Sequence, residues 1–251
     1  MNLIKIKYSS TNQELIKTPE IIVQQFSKPQ LNEQLQPVIF NHYTITCQNQ
    51  EELFQQAQKF FQTNNKNIFL GGDHSITLPT IKAFAKNKPN PGIIIFDAHL
   101  DSQIPFQQNS PQEKESEDLL PGIIHQKILP KQNIILVGTR QYSPQELAFI
   151  QTHKIKTFSM KEISLEGIFE VSESVMTIAK TFSHLYVSID ADVLDPAFVS
   201  TPFPSPGGLT TRELIFFIQR LKHLRNFQAA DLTEFLSKSA PLAAKLVSEF
   251  L

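Results

Sequence analysis

The chain has 251 residues, with 23 lysines and arginines against 24 aspartates and glutamates, giving a net charge of −1 at pH 7. This balance leaves no basic stripe of the kind that binds nucleic acid, and no apolar run approaches the ~20 residues needed to cross a bilayer. The single cysteine, Cys47, excludes an intramolecular disulfide. Together with an N-terminus unlike a secretory signal, it predicts a cytoplasmic protein.

Short apolar, β-branched runs alternate with helical patterns along the chain. We predict strands over residues 3–8, 38–46, 67–70, 92–96, 133–137, 156–159, 185–189 and 227–232. Apolar residues spaced three to four apart predict helices over residues 51–62, 78–85, 144–152, 211–224 and 241–251. The alternation predicts a single α/β domain over residues 1–251, a three-layer αβα sandwich around a mostly parallel sheet of about eight strands.

Polar segments follow three of the predicted strands: GGDHS at 71–75, DAHLD at 97–101 and SIDADVLDP at 188–196, which begins within its strand. In open α/β sheets, ligands bind beyond the carboxyl ends of the strands, so these segments are expected to converge on one crevice. The expected group is His74, Asp97, His99, Asp101, Asp190 and Asp192. We assign Asp73 to hydrogen bonding within its own loop.

Four carboxylates packed together raise one another's pKa values, so a bound cation is the simplest way to keep them ionised. Mixed carboxylate and imidazole ligands without a thiolate suit Mn, Zn, Fe or Co. Six ligands exceed what one tetrahedral ion needs and allow two ions about 3.5 to 4 Å apart. The sequence therefore predicts a metal site, and one that can hold two ions.

The three segments resemble, in order and in full, the signatures GGDHS, DAHxD and SxDxDxxDP of the ureohydrolase family of arginases, agmatinases and formiminoglutamases. The likeness covers roughly residues 65–251 and includes LVGTR at 136–140, PGGLT at 206–210 and DLTE at 231–234. It implies an arginase-like fold and hydrolysis of a C–N bond in a linear guanidino or formimino compound by a metal-bridging hydroxide. An agmatine-like substrate is the nearest choice.

The resemblance also implies two Mn²⁺ per chain, one held by His74, Asp97, Asp101 and Asp190 and the other by Asp97, His99, Asp190 and Asp192. Asp101 would in addition orient the hydroxide, and Glu234 would pair with the guanidinium of the substrate. Trimers and hexamers are common in the family, which implies a homo-oligomer.

The chain departs from the family at the proton shuttle, because Pro121 stands where most arginases and agmatinases carry a histidine. His125 lies four residues further on, one turn away if residues 122–129 are helical, so its side chain could face the same side. It is therefore a candidate catalytic acid that protonates the leaving amine, the alternative being a surface or core histidine.

The substrate end departs as well. Residues 102–110 lack the asparagine and serine pattern with which arginases hold the head of arginine, which disfavours arginine. The acidic run at 113–118 would favour a cationic substrate by steering, or is a solvated loop. No glycine occurs in the first 65 residues, where the family usually has a glycine-rich loop.

Two other interpretations stay open. The first is a metal-binding family member that has lost catalysis and acts as a partner or regulator. The second is a single-zinc deacetylase of the arginase-like fold, which is disfavoured because such enzymes keep fewer of the six ligands.

Overall fold

The computed structural model describes residues 1–10, 12–103 and 118–251, and its centre is one sheet of eight parallel strands. The strands are β1 (Asn2–Lys7), β2 (Asn41–Thr46), β3 (Asn67–Leu70), β4 (Pro91–Phe96), β5 (Ile134–Thr139), β6 (Lys156–Ser159), β7 (His184–Asp190) and β8 (Phe227–Thr233). Their order across the sheet is β2-β1-β3-β8-β7-β4-β5-β6. All eight predicted strands and the parallel sheet are confirmed.

Helices join the strands. They are α1 (Thr18–Gln24), α2 (Gln50–Ala57), α3 (Thr77–Ala85), α4 (Leu119–His125), α5 (Pro144–His153), α6 (Met160–Glu166), α7 (Ile168–Ala179), α8 (Thr211–Leu221) and α9 (Ala240–Ser248). The five predicted helices are confirmed, with shorter ends in three of them. Helix α2 continues as a 3-10 turn over Gln58–Gln62, and α8 and α9 end three residues before the predicted limits.

Both faces of the sheet are buried, because consecutive residues of one strand enter different cores. In β4, Ile93 and Ile95 join the core shared with α3, α4 and α5, whereas Ile94 and Phe96 join the core shared with α7, α8 and α9. Since side chains alternate across a strand, this pattern requires a helical layer on each face. The predicted three-layer αβα sandwich is confirmed.

Helices α1, α6 and α7 were not predicted. In α7, buried Val171, Val175 and Ala179 recur every four residues, so a helical period is present. The segment is also rich in β-branched residues, whose composition is typical of strands, and this obscured the period. Gly167, with φ of +91°, separates α6 from α7. No helix in the described part of the chain combines the length and apolar character needed to span a membrane.

Helix α8 begins as the sequence indicated. Thr210 caps it by accepting a hydrogen bond from the Glu213 amide, and the Glu213 carboxylate accepts from the Thr210 amide in return. This reciprocal cap satisfies two amides that a helix start leaves unpaired. Leu214, Phe217 and Ile218 then face the core. The loop between β7 and α8 therefore ends at a fixed residue. This matters because that loop borders the site.

Candidate metal centre

The polar segments converge because their strands are neighbours. Strands β3, β8, β7 and β4 are adjacent in the middle of the sheet, and each ends in residues of the group. His74 follows β3, the DAHLD segment follows β4, and Asp190 ends β7. Strand β8 inserts between β3 and β7 and brings Glu234 to the same edge. All six predicted metal ligands and Glu234 therefore lie at one end of the sheet.

His74 faces three carboxylates. Its Nδ1 atom lies 2.7 Å from Asp101 Oδ2, 3.2 Å from Asp97 Oδ2 and 3.6 Å from Asp190 Oδ2. The imidazole is almost completely buried. Although the distance to Asp101 is short, Nδ1 makes no hydrogen bond of acceptable geometry. A buried ligand atom surrounded by oxygen acceptors is an arrangement that a cation satisfies.

His99 forms a second group beside the first. Its Nδ1 atom lies 2.8 Å from Asp192 Oδ2 and 3.6 Å from Asp97 Oδ1. Three overlapping sets each bring their ligand atoms within 4.8 Å of one another: His74 with Asp97 and Asp101, Asp97 with His99 and Asp192, and Asp190 with Asp192 and Glu234. Asp97 and Asp192 each belong to two of these sets, whereas Asp190, which the resemblance also implies as a bridging ligand, belongs to one.

Backbone amides fix the orientation of the carboxylates. Asp97 Oδ1 accepts from the His99 amide at 2.6 Å, Asp192 Oδ1 from the Ala98 amide at 3.0 Å, and Asp190 Oδ1 from the Asp192 amide at 2.9 Å. Asp97 and Asp190 thus each use one oxygen for the turn that carries them, Asp192 uses one for the turn after β4, and the other oxygens face the histidines. The one-residue spacing within DAH and DAD allows this, since an aspartate readily accepts from the amide two residues on.

A buried network lies behind His74. The Ser188 hydroxyl donates to Asp231 Oδ1 at 2.6 Å and lies 3.0 Å from His74 Nε2. Thr77 and Tyr186 donate to the other Asp231 oxygen at 2.9 and 2.8 Å. Because the single Ser188 proton goes to Asp231, Ser188 accepts from His74, and Nε2 carries a proton. Nδ1 is then left to hold either a proton or a metal ion.

The pKa values show how strongly this cluster lacks positive charge. Burial followed by repulsion from Asp97 raises the pKa of Asp101 to about 7. Burial and the Asp192 carboxylate raise the pKa values of Asp190 and Glu234 well above their usual range. Burial opposes the charge of His99, but hydrogen bonds to Asp192 and Asp97 outweigh it and raise its pKa to about 11. The chain's own cations are too few for these carboxylates.

The residues therefore fit divalent cations. The donor set is carboxylate oxygen and imidazole nitrogen without a thiolate, which suits manganese and similar ions. The overlapping sets allow two such ions. The structure brings together the six residues that the sequence indicated as ligands, which are His74, Asp97, His99, Asp101, Asp190 and Asp192.

Close backbone approach explains the second glycine of each doublet. A Cβ at Gly72 would lie 2.5 Å from the Tyr8 carbonyl oxygen, and one at Gly208 would lie 2.6 Å from the Val193 carbonyl oxygen. The Gly72 carbonyl accepts from the Glu234 amide at 2.7 Å, which fixes Glu234 with φ of +63°. A non-glycine residue held in this region indicates strain that the surrounding contacts maintain.

Asp73 has the structural role predicted for it. It is fully buried, and its carboxylate accepts from the hydroxyls of Ser9 at 2.7 Å, Ser10 at 3.0 Å and Ser75. These contacts tie the segment after β1 to the loop that carries His74. The glycine-free N-terminus thus reaches the site through serine hydroxyls.

The group opens into a cleft of about 490 Å³. Besides the ligands and Glu234, the described residues that line it are Gln103, Gln141, Tyr142, Ser143, Glu146 and Phe203. The sequence analysis did not single these out as site residues, because most lie on loops with no periodic pattern and Glu146 lies in the first turn of α5. Gln141 to Glu146 directly follow the LVGTR segment, so their proximity to that segment was the available signal.

The structure does not bring His125 to this cleft. It is the last residue of α4, which spans Leu119–His125 rather than the conditional 122–129, and its side chain is exposed. Pro121 is buried in the first turn of the same helix. Although His125 lies four residues after Pro121, its side chain does not share the buried face of the helix with Pro121. Ser102 is buried and Gln103 lines the cleft, whereas residues 104–110 and 113–117 of the two loop predictions lie outside the described residues.

The chain is similar to known proteins over most of its length. Residues 8–251 match the family model described as the arginase family. The chain is 32% identical over 199 residues to an arginase of Staphylococcus aureus (strain MRSA252). The matched residues cover 73% of this chain and 65% of that protein's length. It is 28% identical over 222 residues to a formimidoylglutamase of Halalkalibacterium halodurans, covering 84% and 68%. A crystal structure of Bacillus subtilis formimidoylglutamase superposes with a TM-score of 0.88 at 22% identity, covering 99% of this chain and 85% of that one.

Proposed function

Because this chain belongs to the arginase family, the ureohydrolases, which are metal-dependent C–N hydrolases, we propose that it hydrolyses a linear guanidino compound with an agmatine-like tail. The observation that carries the proposal is the placement of the Glu234 carboxylate within 4.8 Å of Asp190 and Asp192 ligand atoms, at the mouth of the histidine and aspartate cluster. A carboxylate there can hold a planar cation over the cluster.

Glu234 would position the substrate. A carboxylate and a guanidinium form two parallel hydrogen bonds, which fix the guanidinium plane and place its central carbon at a defined distance from the cluster. Glu234 is buried, so a cationic partner would relieve the burial and repulsion that raise its pKa. An anionic group would add to that repulsion.

His74, Asp97, His99, Asp101, Asp190 and Asp192 would hold two manganese ions. Bound there, the ions would supply a nucleophile at neutral pH by lowering the pKa of water to roughly 7. Asp101 would orient that water by accepting its proton at a carboxylate oxygen, then deliver the proton to the leaving nitrogen. We do not extend this proton-transfer role to His125, since it is exposed outside the cleft.

The charges of the cleft support a cationic tail. Among the described lining residues, Glu146 adds a second carboxylate beyond the ligands, and none is lysine or arginine. Formiminoglutamate carries carboxylates that would need basic partners there. The agmatine-like choice therefore fits the described cleft better than an acidic formimino compound.

The test is product release by the manganese-loaded protein offered agmatine, arginine, 4-guanidinobutyrate and formiminoglutamate, with metal content measured on the same sample. We expect two ions per chain and urea from agmatine in preference to the others. Formamide from formiminoglutamate would overturn the substrate choice. Two bound ions without any turnover would favour the interpretation as a catalytically inactive partner or regulator, and one bound zinc would favour the deacetylase.

A homo-oligomer, either a trimer or a hexamer, stays a prediction, as do the cytoplasmic location and the single domain over residues 1–251. The proposed small-molecule substrate needs no nucleic-acid or membrane partner. Gel filtration with light scattering would measure the oligomer directly.

A further inference from the structure

Two aromatic side chains stand in the outer part of the cleft. Tyr142 and Phe203 both line it, with 45% and 51% of their surfaces exposed. Among the described residues, neither ring stacks on another aromatic ring or lies against a lysine or arginine cation. Large aromatic groups left open in a concave, otherwise polar site are typical of surfaces that a ligand covers.

Arg140 holds the loops that carry both rings. Its guanidinium donates to the carbonyl oxygens of Ser205 at 2.5 Å and Pro206 at 3.1 Å, just beyond Phe203. It also donates to the Asp192 carbonyl at 2.6 Å, on the turn that carries a metal ligand. Tyr142 lies two residues after Arg140. One half-buried cation therefore joins the two aromatic loops to the metal centre.

The backbone around Phe203 is restricted in addition. Pro202 and Pro204 flank it, so φ is fixed on either side and the residue before each proline is held in an extended conformation. A side chain positioned in this way loses little freedom when a ligand arrives, which makes its contacts more effective.

A carboxylate lies beside the two rings in the outer part of the cleft. Glu146 is buried beside it, and its Oε2 atom accepts from the Ser143 amide and hydroxyl at 2.8 and 2.9 Å. Aromatic faces next to a carboxylate attract an organic cation, because the face of a ring is negative and the site is partly desolvated. Methylene groups pack on the same faces through apolar contact.

We propose that Tyr142 and Phe203 determine substrate specificity by binding the methylene chain and the distal ammonium of a linear ω-amino guanidine. This inference rests on the proposed function. With the guanidinium at Glu234, the chain of the substrate leaves the metal centre between the two rings. The rings select for a positive group at the far end and against a carboxylate.

Leucine substitutions test the rings without emptying the space. Tyr142 also lines a second cavity of about 440 Å³, bordered by Leu100, Leu147 and Ile150, so an alanine there would change the shape of the protein in two places. Tyr142→Leu and Phe203→Leu keep apolar bulk and remove the negative ring face. Phe203→Tyr is the conservative variant: it keeps an aromatic ring, so it should behave like the wild type. Phe198→Ala is the matched control, because Phe198 is 48% exposed on the same loop but borders a different pocket.

The substrates are also tested in matched pairs. Each ω-aminoalkylguanidine of three to six methylenes is compared with the alkylguanidine of equal length that lacks the amine. For the amino compounds we expect KM to rise roughly 3- to 30-fold in each leucine variant while kcat changes less than about twofold. Alkylguanidines and the Phe198→Ala variant should show no such rise. Equal effects on amino and plain alkyl compounds, or none on either, would overturn the inference.

A second measurement needs no turnover. The chain contains no tryptophan, so Phe203→Trp introduces one fluorophore at the ring position. We expect saturable fluorescence change with butane-1,4-diamine, which has no scissile bond, and none with butanoate. Urea release by the wild type without this response would overturn the inference alone. The response without urea release from any guanidine would overturn the proposed function and support the cation-binding role of the rings.

Discussion

Two acidic clusters in this molecule have carboxylates whose pKa values shift in opposite directions. Around Glu33, the hydrogen bond from Arg212 outweighs burial and, with Lys245 and Gln219, lowers its pKa to about 2. In the metal centre, burial and neighbouring carboxylates raise the pKa of Asp101 to about 7 and that of Asp190 well above its usual range. The first cluster contains its own cations, whereas the second is built for cations that come from outside the chain.

The difference gives a physical criterion for a metal site. Acidic residues alone do not make one, since Glu33 and Glu249 are held by Lys245 and Gln219 and need nothing further. The metal centre differs because its carboxylate oxygens face one another and two imidazoles, and because buried His74 Nδ1 has no hydrogen bond. Removing a carboxylate charge from the metal centre should therefore have a large effect on function, whereas removing one from the Glu33 cluster should have only a small effect on stability.

The largest effect is expected for Asp190→Asn, which removes a carboxylate from the centre of the cluster. Ion content should fall, and kcat/KM should drop at least ~10³-fold, because a catalytic ion is worth several kcal/mol. Metal analysis and the urea assay measure both. Glu33→Gln removes the same charge from the other cluster and should leave both unchanged. A fully metal-loaded, active Asp190→Asn variant would contradict the ligand assignment.

Glu234→Gln should separate substrate binding from ion binding. Its amide cannot pair with a guanidinium as a carboxylate does, and loss of such a buried charge pair costs on the order of 10²- to 10³-fold in kcat/KM. Ion content should stay at the wild-type level, since the six proposed ligands remain. Activity equal to wild type would show that Glu234 does not hold the substrate.

Ser188→Ala tests the network behind His74. Without the hydroxyl, His74 Nε2 loses its acceptor and the imidazole is less firmly oriented, so manganese affinity should fall roughly 10- to 100-fold. Competition with a metal-chelating dye measures the affinity without any substrate. Tyr186→Phe removes a different donor to Asp231 and leaves the Ser188 contact in place, so it should have a smaller effect. Equal effects would mean that general damage to the core, rather than the orientation of His74, causes the loss.

The smallest effect is expected for Glu33 and appears only in acid. Its pKa is lower in the folded chain than the ordinary value of 4.5, so its ion pairs stabilise the fold above pH 4.5 and are lost as the pH falls towards about 2. The Glu33 and Arg212 side chains are 31% and 70% exposed, so screening limits the contribution to less than ~1 kcal/mol. Urea denaturation of wild type and Glu33→Gln at pH 7 and pH 3 measures it. A difference that grows in acid would contradict this sign.

The fold was largely predictable because its core is regular. Each strand is a short β-branched or apolar run, and such runs show up clearly in a sequence. Helix α7 was missed because its β-branched residues resemble strand composition. The convergence of the six candidate ligands was predictable because each lies at a strand end or at most five residues beyond it, so local spacing determines which side chains meet.

His125 shows where this reasoning stops. Its spacing from Pro121 suggested a shared face, yet α4 ends at His125 and leaves its side chain exposed. The rotation of a helix about its axis depends on what it packs against, and a single sequence does not contain that information. The same holds for Tyr142 and Phe203, which are 61 positions apart and meet at one cleft through the carbonyl contacts of Arg140.

By itself, the sequence determined the parallel α/β architecture, the six candidate ligands and the family, because these depend on local runs and short motifs. Only the tertiary structure decided that β8 lies between β3 and β7, that Asp231 and Ser188 orient His74, and that two aromatic rings border the cleft. These features join residues far apart in the chain. Their positions follow from the order of strands and the packing of loops, which no local pattern encodes.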